Sequence, residues 1–75
     1  MDIIVFGQLK EMLGSERITV NDVEDIYELQ KALHTKYPLL EHAKYKIAVD
    51  RKMISDNIKL NNDSEIAMLP PFSGG

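Results

Sequence analysis

The sequence predicts an α+β roll, a mixed sheet packed on one main helix. Three observations lead there. One stripe of apolar residues recurs at helical spacing, at Ile26, Leu29, Leu33 and Tyr37. Short runs rich in β-branched and aromatic residues flank it, from Ile3 to Phe6 and from Tyr45 onward. The chain has 75 residues, 44% hydrophobic and 28% charged, which bounds it to one domain with one small core.

Ile3 to Phe6 is the first expected strand, stopped by Gly7. If Ile3 and Val5 face the core, Ile4 and Phe6 point the other way. Gln8 to Leu13 favours a helix of one or two turns, with Gly14 as its stop. Glu16 to Val20 alternates, with Ile18 and Val20 on one face, and fits a second strand paired antiparallel with the first. Asp25, three residues before Glu28, has the spacing of a capping box, so the acidic group from Asp22 to Glu28 reads as helix initiation. The main helix runs from Ile26 to about Tyr37, because Pro38 disfavours helical geometry in the residue before it.

Leu39 and Leu40 begin a connection that packs on the helix end. Tyr45 to Val49 is the next strand, Asp50-Arg51-Lys52 a turn and Met53-Ile54 a short return. Ile58 and Leu60 form a brief segment, and Asn61 to Ser64 a turn. Glu65 to Leu69 is the last strand, ended by Pro70. A first hairpin, a central helix and a last strand that pairs with the first best fit the ubiquitin-like β-grasp. In that arrangement the last strand is central. Residues 1–69 are then the domain and residues 70–75 a flexible tail.

Several functions are disfavoured by composition. The chain contains no cysteine, which removes disulfides, thiolate metal sites and a cysteine nucleophile. Its net charge is −3, so nucleic acid is not an expected partner. Ile3 to Phe6, the longest apolar run, is too short for a membrane span, and a cytoplasmic location is expected. Gly7 and Gly14 lack the Gly-Lys-Ser/Thr of a phosphate loop. His34 and His42 have no Cys/His partner pattern and read as surface or packing residues, so no metal or bound cofactor is expected.

What remains distinctive is the ending Pro70-Pro71-Phe72-Ser73-Gly74-Gly75. Two glycines without side chains make a thin end that can thread into a narrow site. Two prolines stiffen the approach. The carboxylate of Gly75 is the expected reactive group.

Phe6-Gly7-Gln8-Leu9-Lys10-Glu11, Ala48-Val49-Asp50 and Leu69-Pro70-Pro71-Phe72-Ser73-Gly74-Gly75 resemble the small subunit of molybdopterin synthase. The resemblance runs through nearly the whole chain in order, and the Pro-Pro-x-Ser-Gly-Gly ending is its most specific part. Asn62-Asp63-Ser64-Glu65 departs from the Asp-Gly-Asp-Glu-type turn common there, and Asp50 stands where Asn is usual.

The resemblance implies a sulfur carrier. An adenylating enzyme related to ubiquitin activators would use ATP to convert the Gly75 carboxylate into an acyl-adenylate. Sulfur from a persulfide donor would displace AMP and leave a thiocarboxylate. The loaded tail would enter the large catalytic subunit, in an assembly of two small and two large chains. There cyclic pyranopterin monophosphate would receive the dithiolene sulfurs. This chain would be a cosubstrate and subunit, with no catalytic residues beyond the Gly75 carboxylate. From Phe72 to Gly75 an extended tail reaches about 14 Å, at about 3.5 Å per residue.

Phe6, Met53 and Leu69 are expected off the main core face, as an apolar patch beside the tail. They equally fit an extended core. Phe72 is a candidate anchor for the tail, and Lys10 and Arg51 are candidates to meet acidic groups on a partner. Two alternatives stand beside the molybdopterin reading. One is delivery to another pathway of the thiamine type, or protein modification by an isopeptide bond. The other is a β-grasp interaction module with an inert terminus.

Overall fold

The structure is a computed structural model that describes residues 1–71. Phe72, Ser73, Gly74 and Gly75, all named above for the tail, lie outside the described residues. The elements in chain order are β1 (Asp2–Val5), α1 (Gln8–Leu13), β2 (Arg17–Thr19), α2 (Ile26–Lys36), a 3-10 turn (Pro38–His42), β3 (Lys46–Val49), β4 (Lys52–Ile54) and β5 (Ile66–Leu69). The five strands form one sheet in the order β2-β1-β5-β3-β4. β5 runs parallel to β1 and antiparallel to β3, so the last strand is central. This is the expected ubiquitin-like β-grasp.

Side-chain alternation gives the sheet two faces. On one face Ile3, Val5, Ile18, Ile47, Val49, Ile66 and Met68 are buried. They meet Ile26, Leu29 and Leu33, the apolar stripe of α2, in one core cluster. Leu9, Leu13, Val20 and Leu40 complete that cluster. No polar or charged residue is buried among the described residues, so the core is held by apolar packing alone.

α2 starts where the capping spacing places it. Asp25 has extended backbone geometry, and its carboxylate accepts from the Glu28 N–H at 2.8 Å. Glu28 does not return the bond to Asp25, as a capping box would have it. It accepts from the Glu24 N–H at 2.8 Å. α2 ends at Lys36, one residue before the expected end, because Tyr37 has already left helical geometry (φ −128°, ψ 82°) ahead of Pro38.

Three segments differ from expectation. The connection after α2 is a 3-10 turn that buries Leu40 and leaves its neighbour Leu39 63% exposed. Ile58 to Leu60 makes only a single bridge, Lys59 opposite Asp25, beside the start of α2. The turn between β3 and β4 is two residues, not three: Asp50 and Arg51 both take positive φ, 50° and 69°, and Lys52 already pairs with Val49. Two consecutive left-handed residues match the twist of the flanking strands, which explains why the tight form wins without a glycine.

Candidate functional site

The tail leaves from the middle of the sheet. β5 is tied on one side to β1 through Ile66, Ala67 and Met68. On the other side it pairs with β3 through all four residues, ending with Leu69 opposite Lys46. A further rung, from the Phe6 N–H to the Met68 carbonyl at 3.0 Å, extends the β1 pairing by one residue. Gly7 and Pro70 follow directly. A Cβ placed on Gly7 would lie 2.8 Å from Cγ of Pro70, so the proline ring rests against the glycine backbone.

The face away from α2 carries an apolar band. Registers place Ile4 beside Ala67, Ala67 beside Ala48 and Ala48 beside Met53 in one row across four strands. Phe6 and Leu69 form the next row toward the tail. Phe6 is 43% exposed, Met53 47% and Ile4 37%, while Leu69 is half-buried. Ala48 is buried yet stands outside the core cluster, so the band is continuous through it.

Phe6, Met53 and Leu69 therefore share the face that the sequence pattern assigned them. Lys10 is exposed on α1 and lines the same shallow hollow as Ile4, Phe6 and Arg17. Arg51 is elsewhere. It follows Val49, which pairs with Ile66, at the end of the sheet opposite to Leu69. Its Nε stands 3.9 Å from Oε2 of Glu65, with both side chains largely in water, so this pair adds little stability. Sequence reasoning missed Ala48 and Ala67 as parts of the band, since alanine carries no strong apolar signal. It also missed Gly7 as the neighbour of Pro70, because strand register decides that contact.

On the helix side His34 Nε2 lies 2.7 Å from the Tyr45 hydroxyl, which links α2 to the start of β3. His34 is thus a packing residue. Burial pushes the Tyr45 hydroxyl above its ordinary pKa, and a hydrogen bond with Gln30 partly opposes this. No group of three or more metal-ligating side chains occurs among the described residues. No helix among them is long and apolar enough to cross a membrane.

The fold and the exit of its central last strand define the ubiquitin-like β-grasp class. Within it, this chain belongs to the ThiS family, which it matches over residues 3–75. It is similar to the molybdopterin synthase sulfur carrier subunit of Dictyostelium discoideum, with 32% identity over 97% of this chain and 93% of that one. Among solved structures, it resembles a chain in the complex of subunits 1 and 2 of molybdopterin-converting factor from Helicobacter pylori. Identity there is 28% and the TM-score 0.73, covering 99% of this chain and 96% of that one. The small archaeal modifier protein 1 of Methanosarcina acetivorans shares the fold, with a TM-score of 0.82 at 22% identity over 99% of this chain and 94% of that one.

Proposed function

We propose that this chain is the sulfur carrier and small subunit of a molybdopterin synthase. The observation that carries the reading is its likeness, over nearly its whole length, to a curated sulfur carrier subunit of that enzyme. The position of β5 supports it physically: a tail that follows a central strand starts from an anchored point.

In this reading the Gly75 carboxylate attacks the α-phosphorus of ATP on a ubiquitin-activator-like enzyme, and pyrophosphate leaves. Sulfur from a persulfide donor then forms a C–S bond as AMP departs, and a thiol cleaves the S–S bond to free the thiocarboxylate. Each acyl step has a good leaving group that the bare carboxylate lacks. The nucleotide site, acids and bases belong to the partners, and ATP is bound there. Gly74 lets the end pass through a narrow channel, Ser73 and Phe72 are gripped along it, and Pro70 and Pro71 aim it. The apolar band with Phe6, Met53 and Leu69, and Lys10 beside it, docks on the large subunit. Two small and two large subunits assemble in the cytoplasm, where two loaded carriers supply the two sulfurs of each product.

Intact mass tests this reading. Co-expression with the cognate adenylating enzyme and sulfur donor is expected to add about 16 Da, the exchange of OH for SH that acyl activation allows. Addition of the large subunit and cyclic pyranopterin monophosphate then yields molybdopterin. A chain that never gains the sulfur under these conditions is not the carrier. One that gains it but gives no molybdopterin serves another acceptor.

A further inference from the structure

We propose that Gly7 is a positioning residue for the tail, its bare backbone being the seat on which Pro70 fixes the direction in which the chain leaves the sheet. This rests on the reading of the tail as a sulfur carrier.

Two independent features of Gly7 exclude a side chain. Its backbone is in the left-handed half of conformational space (φ 61°, ψ −141°), which L residues rarely adopt. A Cβ would also meet the Pro70 ring, 2.8 Å from Cγ, 3.4 Å from Cδ and 3.9 Å from Cβ. A proline ring is closed and cannot swing aside as the end of a long side chain can. The contact falls where the hydrogen-bonded pairing of β1 and β5 runs out. Phe6 N–H still donates to Met68 at 3.0 Å, but Pro70 has no N–H to carry a ladder further. Van der Waals contact of the ring on Gly7 takes over from the ladder at that point. The carbonyl of Gly7 accepts from Lys10 N–H at 3.1 Å and so opens α1. The seat is therefore held from both sides, by the sheet and by the helix start. A tail fixed at its root loses less freedom when it enters a partner, so the seat favours binding and not the chemical step.

The test compares the full chain with Gly7→Ala, Pro70→Ala and the double variant. Three measurements are made: the nuclear Overhauser contact between Gly7 Hα and the Pro70 ring, thermal unfolding, and adenylation kinetics with the cognate activating enzyme. In the unsubstituted chain the contact is seen. Pro70→Ala keeps its unfolding midpoint, raises KM for the carrier about three- to tenfold and leaves kcat within about twofold. Gly7→Ala lowers the unfolding midpoint, because its φ is positive, and raises KM at least as much; the double variant is no worse in KM than Gly7→Ala, because both changes remove the same contact. A missing Overhauser contact, a wild-type KM in Pro70→Ala, or additive effects in the double variant would overturn the seat while leaving the carrier reading standing. If the unsubstituted chain is not adenylated at all, the carrier reading falls and this role with it.

Discussion

The side-chain oxygen of Asn57 accepts a hydrogen bond from the Tyr27 N–H at 2.8 Å, across 30 positions of sequence. Its amide nitrogen donates to the Asp25 carboxylate at 3.3 Å, while that carboxylate caps Glu28. Two side chains from distant segments thus share the open N–H groups at the start of α2. Asp25→Ala is expected to cost about 1 kcal/mol. For a domain of this size that lowers the midpoint of thermal unfolding by about 4–8 °C. Asn57→Ala costs less, and the double variant costs less than the sum, since the two residues bond each other. Thermal unfolding followed by circular dichroism measures all three.

Leu39 and Leu40 are adjacent and opposite in environment, 63% and 1% exposed. Leu40→Ala is expected to destabilise by about 2–5 kcal/mol, through lost burial and the cavity left behind. Leu39→Ala stays within about 0.5 kcal/mol of the parent. Urea unfolding separates them, and equal effects would mean that the 3-10 turn is placed wrongly.

The apolar band predicts a separation of stability from docking. Phe6→Ser and Met53→Ser remove side chains that are nearly half exposed, so stability changes by less than about 1 kcal/mol. If the band docks on the large subunit as proposed, binding weakens by about tenfold or more for each. Arg51→Ala, at the other end of the sheet, leaves affinity within about twofold. Titration calorimetry with the large subunit decides this.

Tyr45 predicts a dependence on alkaline pH. Its pKa is raised in the folded chain, so the unfolded chain loses this proton first. Its contribution is fully present below the unfolded value near 10 and is lost as pH rises through the higher folded value. Tyr45→Phe removes that loss. At neutral pH the same change leaves His34 Nε2 without its 2.7 Å partner, at a cost of about 1 kcal/mol. The stability gap between parent and variant therefore narrows above about pH 10. A gap that stays constant from pH 7 to 11 would contradict the assignment.

Much of the fold was legible because apolar spacing reports burial directly. Ile26, Leu29 and Leu33 lie one to a turn and all reach the core. Ile3 and Val5 alternate with Ile4 and Phe6, and the sheet keeps that division. What was not legible depends on partners far along the chain. Asn57 sits between the short return and the brief segment at Ile58, and only tertiary contact makes it a helix cap. Asp50 and Arg51 lack the glycine that marks a tight hairpin, so the turn looked longer than it is. At the candidate site, the apolar residues beside the tail could be read from alternation alone. The packing of Pro70 on Gly7 could not, because it follows from the parallel register of β1 and β5.

That parallel register has a kinetic consequence. The strand joining the two halves of the sheet, Ile66 to Leu69, pairs with β3 on one side and on the other with β1 from Ile3, near the other end of the chain. Without it, the β1–β2 and β3–β4 pairs would each leave one strand edge unpaired. Closing so long a loop is slow, and the open edges are the places where the chain would stick to its neighbours. Arrival of one strand both seals the edges and seats Pro70 on Gly7.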